Sequence, residues 1–123
     1  MKLHRDNYYW EKIDRKEAMP ISVILVTLAG HAYDHLVTKE RASFDTPIEA
    51  LLELVDRMPM WIHHDGQEYR VLNPKLPSEN FADRWNRDDG VRAKEFAIWH
   101  RQLKDDLELL FSDSYDKRTE PRI

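Results

Sequence analysis

Apolar residues recur at helical spacing through most of this chain and predict a mostly α-helical domain. The clearest helix lies in TPIEALLELVDRM, where the apolar stripe consists of Ile48, Leu51, Leu52 and Val55. Thr46 is suited to cap this helix, with Pro47 in its first turn and Glu49 three residues after the cap. Pro59 is expected to end or kink the helix, because a proline lacks the amide hydrogen that an interior position uses.

The stretch ISVILVTLAGHAYDHL predicts a second, buried helix, with Pro20 where a proline of the first turn would stand. Apolar residues keep helical spacing at Ile21, Ile24, Leu25, Leu28, Ala32 and Leu36. Val23 and Val26 are apolar on the opposite side, so we expect this helix to be buried nearly all round. The β-branched residues leave a buried strand as the alternative, and the length of the stretch favours the helix.

The remaining helices are predicted at the two ends of the chain. MKLHRDNYYW resembles the interior of a helix, without a capping residue before it, and EKIDRKEA is a charged connector. VTKERASFD is expected to form a polar loop. The stretch from Val91 to Phe111 predicts a long amphipathic helix, whose apolar face consists of Phe96, Trp99, Leu103, Leu107 and Leu110. We therefore expect a helical lobe over residues 1–112 and a polar tail over residues 113–123.

The segment RVLNPKLPSENFADRW is dense in polar and aromatic residues, and its pattern favours a structural role. Asp65–Gly66 predicts a turn, followed by a short extended piece through Tyr69, Val71 and Leu72. Asn73–Pro74 and Pro77 are expected to rigidify a second turn. Ser78 is predicted to start a helix that carries Phe81 and Trp85 into the core. The expected fold is thus a mostly α, helical bundle lobe with one short extended segment.

Composition narrows the classes of function. The 123 residues carry a formal net charge of −4, which argues against duplex nucleic acid as a partner. There is no cysteine, which excludes disulfides and thiolate metal sites. The longest apolar run reaches about half the length that a membrane span requires, and no charged-then-apolar signal segment opens the sequence. We therefore expect a cytoplasmic protein without a membrane partner.

Three groups of residues are candidates for chemistry. His31 and His35, with Asp34, could form a metal pair, but a metal site needs a third ligand and we expect polar residues at the solvent end of a helix. His63–His64 are consecutive and are expected in a loop.

The third group is a basic N-terminus, with Lys2, His4 and Arg5, followed by Ser22 one helix later. A lysine and a hydroxyl brought together by packed helices can bind phosphate, although the spacing alone favours a solvated helix face.

Several catalytic motifs are absent from the sequence. It contains no G-x-x-x-x-G-K, no G-x-G-x-x-G and no G-x-S-x-G, and its three glycines nearly exclude a glycine-rich phosphate loop. No pair of carboxylates alternates on a predicted strand where it could hold two metal ions. We predict neither a catalytic residue nor a metal ligand.

KLHRD, PISVILVTLAGHAYD and YRVLNPKLPSENFADRW occur in an order and spacing that resemble the C-terminal half of bacterial cGAS/DncV-like nucleotidyltransferases, relatives of oligoadenylate synthase and cyclic GMP-AMP synthase. The resemblance covers about residues 1–100, and its last segment is the most specific. The family pattern N-P-x-x-P-x-E-N-F-A-x-x-W is matched by Asn73, Pro74, Pro77, Glu79, Asn80, Phe81, Ala82 and Trp85.

This resemblance implies an enzyme that joins nucleoside triphosphates into cyclic or linear oligonucleotide second messengers for antiphage defence. In the family, three carboxylates on an N-terminal lobe hold two Mg²⁺ ions, and the C-terminal helical lobe closes the nucleotide cleft. The phosphate-contacting lysine corresponds to Lys2 and the hydroxyl of the following helix to Ser22.

The catalytic lobe, with its Gly-Ser motif and Asp-x-Asp carboxylates, has no counterpart here, so the chain is expected to be a fragment or a truncated product, inactive alone and binding no cofactor. Its partners would be the missing lobe, nucleoside triphosphates and, through exposed apolar surface, a second copy. The alternative is a free-standing helical protein-interaction module without catalysis.

Overall fold

The computed structural model describes residues 1–41 and 43–119 and is mostly α-helical, as the sequence predicts. Helix α1 spans Lys2–Tyr9, α2 spans Ser22–Asp34, α3 spans Pro47–Arg57 and α4 spans Val91–Thr119. A π-helical turn, His35–Lys39, extends α2. Three 3₁₀ helices cover Ile13–Ala18, Met58–Trp61 and Asp83–Asn86.

Two small antiparallel hairpins stand between α3 and α4, where the sequence predicts one extended segment. Strand β1 (His63–His64) pairs with β2 (Tyr69–Arg70), and β3 (Leu72–Asn73) pairs with β4 (Leu76–Asn80). The Asp65–Gly66 turn is confirmed: Gly66 has φ +94°, and the Asp65 carboxylate accepts the amides of Gln67 and Glu68 at 2.9 Å. His63 and His64 therefore lie on an exposed strand and not in a loop.

The core is built around α4, which packs against α1, α3 and the 3₁₀ helices at Ile13–Ala18 and Asp83–Asn86. Its buried face presents Phe96, Trp99, Leu103 and Leu107. The other buried core residues are Tyr9, Ile24, Leu25, Leu28, Ala32, Val55, Met58, Val71, Ala82 and Trp85. Leu110, predicted on the same face, is exposed. The α4 backbone continues through Thr119 into the predicted tail, and residues 120–123 lie outside the described residues.

The start of α3 forms as its sequence predicts. Thr46 is the N-cap and accepts the amide of Glu49 at 3.2 Å, and Pro47 is the first helical residue. The α-helix ends at Arg57, two residues before Pro59, and continues as a 3₁₀ turn. These features are local in sequence, which is why the pattern alone identifies them.

Two expectations for α2 are wrong. Pro20 precedes the helix, whose N-cap is Ile21, and so it is not a first-turn residue. Val23 and Val26 are exposed, because within the described chain only the opposite side of α2 meets the core. The helix itself is confirmed and the buried strand is excluded.

The helix predicted from Ser78 is also wrong. Ser78 and Glu79 lie in β4, and the next helical residues form only the short 3₁₀ helix Asp83–Asn86. Trp85 is buried as predicted, and Phe81 packs against the core. Across the described residues, none of the helices combines the length and apolarity that crossing a membrane requires.

Candidate functional site

Arg5 joins α1 to the start of α2. Its side chain is only 9% exposed, and its Nη1 donates to the hydroxyl of Ser22 at 2.9 Å and to the carbonyl of Pro20 at 3.2 Å. The same guanidinium forms a salt bridge of 3.0 Å with Asp6, which is more exposed. Since a buried guanidinium needs partners for its donors, these contacts fix the position of Ser22 relative to α1.

Lys2 lies one helical turn before Arg5 on α1 and is exposed. Within residues 1–41, no hydrogen bond joins Lys2 to Ser22; the residue that the fold brings onto Ser22 is Arg5. From the sequence, Arg5 is predicted only as part of a basic N-terminus. Its position in the KLHRD segment, three residues after Lys2, was the available signal.

The start of α2 has capacity for an anion. Ile21, the N-cap residue, makes no side-chain capping hydrogen bond to any described residue, so the first amides of this 13-residue helix have no side-chain acceptor among the described residues. Ser22 uses a lone pair to accept from Arg5, which leaves its hydroxyl hydrogen available as a donor. The Ser22 hydroxyl and these amides are the kinds of donor that bind a phosphate.

A second polar cluster lies in the core between α1, α4 and the 3₁₀ helix Ile13–Ala18. Glu95 is buried and accepts from the Tyr9 hydroxyl at 2.9 Å. Arg15 donates to both carboxylate oxygens of Glu95, at 2.8 and 2.9 Å, and to the Tyr8 hydroxyl at 3.2 Å. A bidentate pair with a third donor satisfies the buried charge, so we assign this cluster to structure.

The pKa values of the cluster follow from these bonds. The hydrogen bonds from Arg15 hold the pKa of Glu95 below its usual value, against the effect of burial. Burial and the hydrogen bond to Glu95 raise the pKa of Tyr9. Glu95 lies four residues before Trp99 and so continues the apolar stripe of Trp99, Leu103 and Leu107 on α4. A carboxylate at an otherwise apolar position of this stripe was the sequence signal for a buried polar cluster.

The two candidate histidines of α2 meet Trp61. The His31 ring stacks on the Trp61 ring with centroids 5.8 Å apart, and the His35 ring stands edge-on to it at 5.5 Å. His35 also lies 3.2 Å from Glu40, which pairs with Arg57. No group of three or more acidic or histidine side chains among the described residues is placed to hold a metal ion.

Two further cavities carry polar groups. One of about 440 Å³ lies between α1 and α4, where the His4 Nε2 and Asp106 are 2.7 Å apart. The other, of about 570 Å³, has ten lining residues, which include Tyr69, Trp85, Phe96, Lys94 and His100. His100 donates to the Val55 carbonyl at 2.6 Å, and burial lowers the pKa of its ring. Their polar groups thus connect α4 to α1 and to α3.

The segment that carries the most specific motif is held together by Asn80. Its Oδ1 accepts the amides of Val71 and Ala82, each at 3.0 Å, and its Nδ2 donates to the Tyr69 carbonyl at 2.8 Å. Asn73 accepts the amide of Lys75 at 2.9 Å and so stabilises the turn of the β3–β4 hairpin. These bonds satisfy backbone groups, which agrees with the structural role that the sequence pattern favours for this segment.

Comparison with known proteins adds no assignment. A scan of protein-family models and a search of curated proteins both returned no match. The interpretation of the site therefore depends on the residues and their geometry.

Proposed function

We propose that this chain is the C-terminal helical lobe of a nucleotidyltransferase that makes cyclic or linear oligonucleotide second messengers in antiphage defence. The observation that carries the proposal is the ordered succession of the three sequence segments that resemble the cGAS/DncV-like family. The contact between Arg5 and Ser22 supports it, because it joins a hydroxyl at an uncapped helix start to α1, the helix that carries the exposed Lys2.

In this proposal, Lys2 and Ser22 contact the phosphates of a bound nucleoside triphosphate. Lys2 supplies a point charge and Ser22 a neutral hydrogen-bond donor, while Arg5 positions Ser22. The chemical step requires Mg²⁺ and carboxylates, which the family carries on a separate lobe. The chain alone is expected to join no nucleotides; turnover of labelled triphosphates by the pure 123-residue protein in the presence of Mg²⁺ would contradict this expectation.

The decisive test begins with the DNA immediately 5′ of the Met1 codon. A segment there that encodes a carboxylate-bearing lobe allows the complete enzyme to be produced and its affinity for triphosphates to be measured. We expect Lys2→Ala to weaken binding at least about tenfold, as loss of a charge-assisted hydrogen bond does. Ser22→Ala should weaken binding less, and Lys75→Ala, which removes an exposed lysine of the β3–β4 hairpin, should leave it unchanged. Unchanged affinity in both site variants would refute the assignment.

The second candidate function is a free-standing helical module that binds a partner protein. The exposed apolar side of α2 favours it, since a helix that is apolar on both sides normally buries both. A genome with no carboxylate-bearing segment encoded upstream, together with no measurable triphosphate binding, would support this function over the first.

A further inference from the structure

The outer side of α2 is an apolar surface in register along the helix. Its exposed residues follow one another at intervals of three and four, and we call this set the α2 seam: Val23, Val26, Gly30 and Tyr33 of α2, with Val37 of the π-helical turn that extends it. The side chains of Val26 and Tyr33 are 57% and 62% exposed, and those of Val23 and Val37 are 40% and 49% exposed. Alternation of three and four is the spacing with which one helix packs along another.

The seam lacks the charges that ordinarily cover an exposed helix face. The five seam residues are uncharged, and from Pro20 to Tyr33 the sequence contains no Asp, Glu, Lys or Arg; within the span of the seam, Asp34 is the one such residue, and it is exposed. The opposite side of the same helix, with Ile24, Leu25 and Leu28, is already buried in the core. The seam is therefore apolar surface that the core does not use, and it has the composition of an interface.

Gly30 stands at the middle of the seam. A Cβ built on Gly30 would have no described atom within 4 Å, so nothing inside the described chain requires a glycine at this position. Glycine is a poor residue for a helix interior, and it is used where another backbone approaches closely. A backbone that approaches Gly30 closely would therefore come from outside the described chain.

The order of residues in the seam reads nearly the same in both directions. Val23 and Val37 lie seven residues on either side of Gly30, while Val26 lies four before it and Tyr33 three after it. An antiparallel pair of identical helices that crosses at Gly30 thus places Val23 of each copy against Val37 of the other. A two-fold axis requires such self-complementary surfaces, and an uncharged seam creates no repulsion when it meets itself.

We propose that the α2 seam pairs antiparallel with the α2 seam of a second copy of this chain, with the crossing at Gly30. An apolar cavity of about 420 Å³ adjoins the seam, lined by Tyr33, Val37 and residues of α3 such as Leu51 and Leu54. In the antiparallel pair, Val23 and the exposed Ile21 of the second copy would pack against the opening of this cavity. A contact between two seams of five residues and these neighbours is small beside the roughly 1,200–2,000 Å² of a stable interface, so the dimer should dissociate reversibly.

The first test is sedimentation equilibrium of the full chain, without nucleotide, over a micromolar to millimolar range. We expect a monomer–dimer equilibrium that Val26→Asp and Gly30→Trp each weaken more than about tenfold, because one introduces a desolvated charge and the other blocks the crossing. A Cβ at position 30 meets no described atom in the monomer, so the circular dichroism of the Gly30→Trp variant should remain that of the parent protein. Leu109→Asp is the matched control, since Leu109 is exposed on α4 outside the seam.

The second test uses the absence of native cysteines. Gly30→Cys should form a disulfide between two copies under mild oxidation. The double variant Val23→Cys/Val37→Cys should also cross-link two copies, whereas Val23→Cys alone should not, because its two copies would lie about 21 Å apart. Cross-linking of Val23→Cys alone would overturn the antiparallel arrangement. A monomer at all concentrations, or a dimer that both seam substitutions leave intact, would overturn the proposal, and neither result bears on nucleotide binding by Lys2 and Ser22.

Discussion

The hairpin segment around Asn80 and the start of α2 around Ser22 are both rich in polar side chains, but these side chains bond to different partners. The side-chain amide of Asn80 makes all three of its hydrogen bonds within the described residues to nearby backbone groups. At the start of α2, Ser22 keeps a hydrogen to donate, Lys2 faces solvent and the first amides of the helix have no side-chain cap among the described residues. The two regions have a similar density of polar residues, but the start of α2 has hydrogen-bond donors that no described side chain uses, whereas Asn80 is bonded to the backbone.

This difference separates structural polar residues from those suited to a ligand. A side chain whose donors and acceptors are already bonded to backbone has nothing to offer a ligand, however unusual its sequence context. A position that is fixed on one side and open on the other can bind without a large loss of conformational entropy. By this criterion, the hairpin segment around Asn80 is scaffold, and the start of α2 is the candidate site.

The largest expected effect is on the hairpin. Asn80→Ala removes three hydrogen bonds and should lower the free energy of unfolding by about 2–3 kcal/mol, measured by urea denaturation. Asn73→Ala removes one such bond and should lower it by about 1 kcal/mol. Equal effects of the two substitutions would contradict the central role of Asn80.

A smaller effect is expected at Glu95, a third polar position whose bonds are all internal. Glu95→Gln keeps an acceptor but loses the charge that faces Arg15, and should lower the free energy of unfolding by about 1.5 kcal/mol at neutral pH.

The same substitution has a predicted pH dependence. Because the pKa of Glu95 is lower in the folded chain, its contribution is complete above the unfolded value, about 4.3, and is lost as the pH falls below it. Urea denaturation of both proteins between neutral and acid pH should therefore show their difference shrinking. A difference that is constant with pH would mean that the charge of Glu95 does not stabilise the fold.

The smallest effect on stability is expected at the candidate site. Lys2→Ala should change the free energy of unfolding by no more than about 0.5 kcal/mol, because Lys2 is exposed. Ser22→Ala removes one acceptor from Arg5 and should lower it by about 1 kcal/mol, measured in the same way. A loss at Lys2 as large as that of Asn80→Ala would place Lys2 in the scaffold and remove the contrast between the two regions.

Sequence patterns identified the elements whose determinants are local. The start of α3 follows from Thr46, Pro47 and Glu49, which are neighbours in the chain and act through one turn of helix. The same holds for the Asp65–Gly66 turn, where one carboxylate accepts two nearby amides. No distant residue is needed to form either feature.

The features that depend on distant partners were missed. Ser78 and Glu79 look like the start of a helix, but the Asn80 side chain bonds to Tyr69 and Val71, and pairing with β3 keeps the segment extended. At the candidate site, a lysine and a hydroxyl could be proposed from the sequence, whereas the Arg5–Ser22 bond joins residues 17 positions apart. The exposure of Val23 and Val26 escaped prediction because a periodic pattern records which side chains are apolar and not what covers them.

The position of α4 at the end of the core has a consequence for synthesis on the ribosome. The buried residues of α2 belong to the same core as Trp99, Leu103 and Leu107, so that core is complete only when translation has passed Leu107. The 73 residues from His35 to Leu107 take on the order of several seconds to make. During that interval, the core side of the nascent α2 segment and its outer valines are both apolar, and it is the part of the chain that we expect chaperones to engage first.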